Sequence, residues 1–245
     1  MIATYADLRG RTALVTGASS GIGRGIAEAL TAQGVKVVAQ HRTQMPPEGT
    51  IAVKAELGEE RGCVDLVKAA KAALSEVHLF VHSAGIYTNG AIGSLSRETL
   101  EEMFRVNTFS AFYLLRELVQ AGLRNAVLIG STAGQRGEPG HSHYAASKGA
   151  LQSMVSSLAV ELAPKVRVNL VSPGWVRTPM AEEALKRIGP AMIPTIPNQR
   201  VAEVDDVVNA VLYLASDASS HLLGQDLCVS GGALLVVPRG QVKKT

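Results

Sequence analysis

The chain has 245 residues, of which 47% are hydrophobic and 18% charged, and its formal net charge is +3. This length suits one α/β domain with a sizeable core, and so modest a positive charge argues against nucleic-acid binding. The basic end, residues 239–245, is expected to be a solvated tail. No stretch has the pattern of a signal peptide or a membrane span, which predicts a cytoplasmic protein with no membrane partner. Cys63 and Cys228 lack ligand or redox spacing, so neither a metal nor a disulfide is expected.

Strand-like and helix-like patterns alternate along the chain without a linker. Short apolar runs predict seven strands, at about 12–16, 35–40, 51–54, 79–83, 125–129, 167–171 and 226–229. Helical patterns predict helices at about 22–33, 60–74, 98–122, 143–163 and 204–216. This alternation is typical of right-handed βαβ crossovers. We therefore predict one Rossmann-like α/β domain over residues 1–245, with a doubly wound parallel sheet.

A glycine-rich turn joins the first strand to the first helix. It reads Gly17-Ala-Ser-Ser-Gly21-Ile-Gly23 and leads into a helical pattern. Gly17 permits the tight turn, Gly21 lets the backbone approach a pyrophosphate, and Gly23 allows helix and strand to pack closely. Free N–H groups at a helix start favour anions, so this turn is predicted to hold a dinucleotide through Gly17, Ser19, Ser20, Gly21, Ile22 and Gly23.

A tyrosine and a lysine lie one helical turn apart in Tyr144-Ala-Ala-Ser-Lys148, on the same helix face. The Lys148 charge is expected to favour the ionised phenol, which equips Tyr144 to exchange a proton with an alcohol oxygen. Ser131 follows the apolar run 126–129, thirteen positions before Tyr144. Taken alone, such a pair is more often a surface pair. The glycine turn makes a catalytic pair the better interpretation.

These motifs together resemble the short-chain dehydrogenase/reductase family, in its compact single-domain type, over about residues 8–232. The glycine turn is similar to the family's cofactor motif, and Pro173-Gly174-Trp-Val-Arg-Thr178 resembles its PGxxxT segment. His82-Ser83-Ala84-Gly85 occupies the place of its NNAG motif, with His82 and Ser83 replacing the asparagines. The family's catalytic Asn, Ser, Tyr and Lys are matched in order by Asn107, Ser131, Tyr144 and Lys148.

The resemblance implies a nicotinamide dinucleotide cofactor. Besides the glycine turn, the implied contacts are Glu56 and Leu57 near the adenine, Tyr144 and Lys148 near the nicotinamide ribose, and Ser83, Ala84, Gly85, Pro173, Gly174, Val176 and Thr178 along the rest. NAD-preferring members place an acidic residue at the end of the second strand, where this chain has His41. Because Arg42 follows and can pair with a 2′-phosphate, NADP(H) is favoured over NAD(H). Pro46 and Pro47 predict no helix before the third strand, and so an open adenosine end.

The resemblance also implies an oxidoreductase that transfers a hydride between NADP(H) and a carbonyl or secondary alcohol. Ser131 and Tyr144 would hold the carbonyl, and Asn107 would hold a water that continues the proton relay. A narrower alternative is a 3-oxoacyl-carrier-protein reductase, for which the basic residues Arg124, Lys165 and Arg167 could form a docking patch. A nucleotide-sensing protein without turnover is a third, disfavoured by the intact relay.

Two further expectations concern the substrate and the assembly. Residues 179–200, which include Pro190, Pro194 and Pro197, are predicted to form a loop that closes over a small or medium, partly apolar substrate, and Trp175 to form a wall of its pocket. Family members are usually tetramers built on the helices that correspond to 98–122 and 143–163. Val155, Leu158 and Leu162 would give the second helix an apolar outer stripe, so a homotetramer is expected.

Overall fold

Seven parallel strands form one sheet in the computed structural model, which describes residues 1–235. The sheet order is β3-β2-β1-β4-β5-β6-β7. The strands are β1 (Thr12–Thr16), β2 (Lys36–His41), β3 (Ile51–Lys54), β4 (Leu79–His82), β5 (Asn125–Ile129), β6 (Arg167–Pro173) and β7 (Asp226–Val229). The chain runs outward from β1 to β3, returns to β4 beside β1, and continues outward to β7. This confirms the predicted doubly wound sheet, whose switch point lies between β1 and β4. The predicted basic tail lies outside the described residues.

Helices cover both faces of the sheet. In chain order they are α1 (Gly21–Ala32), α2 (Glu60–Leu74), α3 (Arg97–Phe104), α4 (Ser110–Val119), α5 (Thr132–Arg136), α6 (Ser142–Leu162), α7 (Glu182–Met192) and α8 (Val204–Ala215). Apolar residues of α1 and α8 pack with one face, and those of α2, α4 and α6 with the other. Alternate residues of β1 serve the two cores: Leu14 enters one, while Ala13 and Val15 enter the other. Strands buried on both faces read as continuous apolar runs, which is why the sequence located them well.

The long helix predicted at 98–122 is interrupted. Between α3 and α4, residues Arg105–Phe109 form a π-helical segment. A π-helical turn inserts an extra residue into the ladder and often marks a functional site, but the apolar periodicity around it still resembles one helix. The prediction of helical structure was therefore correct, but the prediction of one continuous helix was wrong. This interruption matters because Asn107 lies within it.

The segment after β6 is helical, so the loop predicted for residues 179–200 was wrong in part. It holds α7, and Pro190 lies inside that helix. Glu182 and Glu183 occupy the first turn, where acidic groups suit the helix dipole, and Lys186 pairs with them at 2.9 and 3.1 Å. These local charge pairs support the helix despite the proline.

Two remaining features of the fold bear on the site. Residues 42–50, between β2 and β3, contain no helix, as the two prolines predicted. The short helix α5 was not predicted; the Ser131 side chain caps it by accepting from the Ala133 N–H at 3.1 Å. Among residues 1–235, no helix has the combination of length and apolar character needed to span a bilayer.

Candidate active site

A cleft opens at the carboxyl ends of β1, β4, β5 and β6. Parallel strands bring these ends to one edge of the sheet, so motifs far apart in the chain meet there. The cleft gathers most of the predicted residues, namely Gly17, Ser19, Ser20, Gly21, Ile22, Gly23, Ser83, Ala84, Gly85, Ser131, Tyr144, Lys148, Pro173, Gly174, Val176 and Thr178. Trp175 also lines it, as predicted for a pocket wall.

The glycine turn packs too tightly for side chains. Gly17 has φ of +64°, and a Cβ placed on it would lie 2.9 Å from the backbone of Ala84. A Cβ on Gly23 would overlap the Gly17 carbonyl oxygen. Ser20 precedes α1, and its side chain makes no capping bond, so the first N–H groups of the helix are open to a ligand. A cradle without side chains and with free N–H groups fits the phosphates of a dinucleotide.

Gln40 holds the glycine turn from behind, a role that the sequence analysis missed. Its Oε1 accepts from the Gly17 N–H at 2.8 Å, and its Nε2 donates to the Ala55 carbonyl at 2.7 Å. The side chain is 3% exposed, so both bonds form out of water. A glutamine directly after the buried apolar run at 37–39 was the available signal, because buried amides need partners.

Ser131, Tyr144 and Lys148 converge on one side of the cleft. Ser131 follows β5, while Tyr144 and Lys148 project from α6. Lys148 is 5% exposed, and its Nζ donates to the carbonyl of Ile129, the last residue of β5, at 2.9 Å. This bond anchors the first turns of α6 to the end of β5, just before Ser131.

The surroundings of Tyr144 act on its pKa in both directions. Burial raises the pKa of Tyr144, Glu138 raises it further, and the only lowering contribution comes from the Ser131 hydrogen bond. Burial also lowers the pKa of Lys148 to about 8. The Lys148 ammonium donates to the Ile129 carbonyl, and the lowering of the phenol pKa by Lys148 stays a prediction. Because burial opposes ionisation of the phenol, poising it near neutrality requires nearby positive charge, for which the predicted sources are Lys148 and an oxidised nicotinamide.

Asn107 lies behind the cleft and does not line it. Its Oδ1 accepts from the Ile86 N–H at 2.8 Å, and its Nδ2 donates to the Ile86 carbonyl at 3.0 Å and to Ser147 Oγ at 3.1 Å. The residue is fully buried. The side chain thus fastens the segment after β4 to the π-helical segment and to α6.

The mouth of the cleft contains polar groups that the sequence analysis missed. Tyr87 lies edge-on to the Tyr144 ring at 4.8 Å between centroids and stacks on His141 at 4.4 Å. Its hydroxyl donates to Glu138 at 3.1 Å, and Arg136 lines the same end. Burial, followed by Glu138, raises the pKa of Tyr87. The position of Tyr87, two residues beyond the His-Ser-Ala-Gly motif at a strand end, was a signal that loop residues there face the site.

Three predicted cofactor contacts lie outside the cleft lining. Arg42 is exposed just after β2, and Glu56 is exposed after β3. Leu57 buries its side chain in the core with α2, so only its backbone is available to a cofactor. An adenosine that extends from the glycine turn toward β2 and β3 would approach these residues, and their roles stay predictions.

Comparison with known proteins places the chain in a family. A family model described as enoyl-(acyl carrier protein) reductase matches residues 17–233. The chain is 40% identical to the L-xylulose reductase of Bos taurus over 244 residues, covering 93% of this chain and 99% of that protein. It is 31% identical to the 3-oxoacyl-(acyl-carrier-protein) reductase of Escherichia coli over 246 residues, covering 94% and 100%.

A solved structure supports the same family assignment. The short-chain dehydrogenase/reductase named glucose/ribitol dehydrogenase from Brucella melitensis superposes with a TM-score of 0.90 at 31% identity, covering 96% of this chain and all of that one. The fold and these matches define an oxidoreductase of the doubly wound α/β class. The chain belongs to the short-chain dehydrogenase/reductase family.

Proposed function

We propose that this protein is an NADP(H)-dependent oxidoreductase that interconverts a small ketone and its secondary alcohol. The observation that carries the proposal is the meeting of Ser131, Tyr144 and Lys148 beside the glycine turn, in one cleft. A phosphate cradle alone would suit many nucleotide-binding proteins. A serine hydroxyl and a phenol at the same end of the cleft add the groups that a carbonyl oxygen needs.

Each residue then has a role. The nicotinamide, when bound, supplies or accepts the hydride. The hydroxyls of Ser131 and Tyr144 hold the carbonyl oxygen, and Tyr144 gives or takes its proton. Lys148 binds the nicotinamide ribose, while the Val176 backbone and the Thr178 hydroxyl hold the carboxamide. Preorganisation of these groups by β5, β6 and α6 accounts for most of the rate.

The role of Asn107 in proton relay remains part of the proposal. Its side-chain amide is occupied by Ile86 and Ser147, so a relay water would bind to backbone groups of the π-helical segment. Such segments leave carbonyl groups outside the regular helical ladder. Asn107 would then act by holding that backbone in place.

The cleft mouth favours a polar substrate of modest size. Arg136, Glu138 and Tyr87 present charge and hydroxyl groups, and Trp175 presents an apolar ring. A hydroxylated ketone matches this mixture, and the relative named L-xylulose reductase supports the choice. Of residues 179–200, only Pro179, Met180 and Ala181 line the cleft. We propose that this segment, including α7, is the substrate lid.

A direct assay tests the function. Purified protein is mixed with NADPH and, in turn, short ketoses, simple ketones and acetoacetyl thioesters, and NADPH oxidation is followed by absorbance. Ketoses are expected to give the highest kcat/KM. Absence of NADPH or NADH oxidation with every class, despite cofactor binding, would instead support a nucleotide sensor.

The basic residues that could form a docking patch for an acyl carrier protein lie far from the cleft mouth. Arg124 immediately precedes β5 and Arg167 is the first residue of β6, whereas Ser131 and Pro173 lie at the opposite ends. A five-residue strand spans about 17 Å, so the patch faces away from the cleft mouth. Arg167 is also occupied: its guanidinium donates to the carbonyls of Leu214 and Ser216 at 3.1 and 3.0 Å. These positions argue against delivery of an acyl carrier from that side.

Cofactor preference is tested by Arg42→Ala. Because the exposed guanidinium is proposed to pair with the 2′-phosphate, the variant should bind NADPH roughly tenfold more weakly, about 1.5 kcal/mol, and NADH unchanged. Both dissociation constants are measured by fluorescence titration. Arg61→Ala, on an exposed arginine of α2, is the matched control and should change neither. Equal losses for the two cofactors in Arg42→Ala would reject the phosphate contact.

We also propose a homotetramer in the cytoplasm, built on the two predicted helical regions but through different side chains. Val155 is buried in the core, and Leu158 and Leu162 are half-buried against it, so the predicted outer stripe is wrong at Val155 and only partly exposed at the other two positions. The apolar side chains that do reach the surface near α4 and on α6 are Phe109, Phe112, Val119 and Val160. Their burial between subunits would remove apolar surface from water. Sedimentation should show a tetramer at micromolar concentration, and a stable monomer would contradict this assembly.

A further inference from the structure

His82 lies at a junction between the two halves of the candidate site. It is the last residue of β4, is fully buried, and pairs in register with Thr16 of β1. Its Nδ1 lies 3.0 Å from Thr16 Oγ1, and its Nε2 lies 3.3 Å from Ser110 Oγ. The ring therefore bridges the strand before the glycine turn and the first residue of α4.

The direction of the bond to Thr16 follows from the other partners of that hydroxyl. Thr16 Oγ1 accepts from the N–H groups of Ser83 and Ala84 at 3.1 and 3.2 Å. A hydroxyl has two acceptor lone pairs and one proton, so both lone pairs are used. The Thr16 proton must go to His82 Nδ1, which is consequently an unprotonated acceptor.

The direction of the bond to Ser110 follows in the same way. Ser110 Oγ lies 2.6 Å from the Val106 carbonyl oxygen, which has no proton to give. Ser110 therefore donates to Val106 and can only accept from His82, so Nε2 carries the ring proton. A charged ring would set its Nδ1–H against a hydroxyl whose lone pairs are full. In agreement, burial, and after it the charge of Lys148, lowers the pKa of His82 to about 3.

The two ends of this chain of bonds reach different parts of the site. At one end, Thr16 holds the Ser83 and Ala84 backbone, against which Gly17 packs with no room for a Cβ. At the other, Ser110 bonds the carbonyl four residues earlier, a pattern that bends helices, and Val106 adjoins Asn107 in the π-helical segment.

We propose that His82 is a positioning residue that joins the cofactor-side turn to the helix segment of Asn107, as the neutral tautomer with its proton on Nε2. Its effects on turnover and on NADPH binding rest on the proposed function, whereas its tautomer does not. Neither end of the bridge touches the reacting atoms. His82 acts by fixing the backbone beside the glycine turn and the backbone of the segment that contains Asn107.

The tautomer is measured first, by ¹⁵N NMR of the full-length protein with labelled histidine rings and no cofactor, at neutral pH. The His82 signals are those missing from the spectrum of His82→Asn. The expected result is an unprotonated Nδ1 and a protonated Nε2. A proton on Nδ1, or a charged ring, would overturn the proposal whether or not any ketone is reduced.

Three substitutions of His82 then test its bond to Thr16 and its bond to Ser110 separately. Asparagine places an acceptor near the Nδ1 position but cannot reach Ser110. Glutamine extends a donor toward Ser110 but offers Thr16 no acceptor at Nδ1, and phenylalanine fills the space with neither group. His78→Asn is the matched control, because His78 also bonds a β1 threonine, Thr12, at 2.9 Å, but at the far end of the sheet.

The variants are expected to differ in whether they change the NADPH dissociation constant, kcat or both. His82→Asn should keep the NADPH dissociation constant within about threefold and lower kcat on the order of 10- to 100-fold, because only the Asn107 end is released. His82→Gln should weaken NADPH binding by about tenfold or more with a smaller effect on kcat. His82→Phe should show both losses, and His78→Asn neither. If the Asn and Gln variants change Kd and kcat in the same proportion, the residue is merely structural and the proposal fails. Thermal melts confirm folding, and the comparison of Asn with Gln stands even if Phe does not fold.

Discussion

Tyr144→Phe is expected to lower kcat roughly 1000-fold while NADPH affinity stays within a few fold. The phenol is the group proposed to exchange a proton with the reacting oxygen, and the glycine turn proposed to hold the cofactor lies elsewhere in the cleft. Removing only the hydroxyl leaves the ring and its edge-on contact with Tyr87 intact. The measurement is kcat for ketone reduction at saturating NADPH, together with a fluorescence titration of NADPH.

Two comparisons sharpen this test. Ser131→Ala should lower kcat less, on the order of 100-fold, as loss of one donor to the carbonyl oxygen. Because Ser131 also caps α5, its thermal melt must be checked beside its rate. Tyr213→Phe, on α8 and outside the cleft lining, is the control and should retain full activity. Wild-type turnover in Tyr144→Phe would show that the proton donor has been assigned to the wrong residue.

Lys148→Met is expected to weaken NADP⁺ binding and to move the basic limb of the alcohol-oxidation profile upward by about one pH unit or more. Burial raises the pKa of Tyr144, the Ser131 hydrogen bond lowers it in part, and Glu138 raises it further. Lys148 lies one turn along the same helix face, and we propose that its charge, together with that of an oxidised nicotinamide, would favour the phenolate. Removing this charge makes the phenolate harder to form, so oxidation requires higher pH.

The competing explanation is that Lys148 only binds the ribose. It predicts a raised cofactor KM with the pH profile unmoved at saturating cofactor. A pH series in the oxidation direction, with saturation verified at every point, separates the two. Lys68→Met, on an exposed lysine of α2, is the control for loss of a positive charge and should leave both quantities unchanged. If the basic limb of the pH profile does not move in Lys148→Met, the ribose contact is the sole role of Lys148.

Much of the site was predictable because its parts are local patterns. A strand, a glycine turn and a helix start are neighbours in the chain, and so are Tyr144 and Lys148. Once the strands were recognised as parallel, the meeting of Gly17, Ser83, Ser131 and Pro173 followed from geometry, since each stands at or near the carboxyl end of its strand.

The predictions that failed depended on contacts between distant segments. Periodicity could not show the π-helical break at Arg105–Phe109, because the apolar positions on both sides still suit one helix. It also placed Val155 on an outer stripe, although that side chain packs into the core beside α2 and α4. A helical pattern shows that a face is apolar but not what covers it.

The sequence by itself determined the class of fold, the phosphate cradle and the identity of the catalytic candidates, because these are encoded in residue type and short spacing. Only the tertiary structure decided how they are held: Gln40 behind the glycine turn, Tyr87 and Glu138 at the mouth, and His82 between two hydroxyls. Those arrangements join residues far apart in the chain, and each depends on which way a side chain points after the sheet has formed. Hydrogen-bond direction is the clearest case, since the proton on His82 is assigned by counting the partners of Thr16 and Ser110 in space.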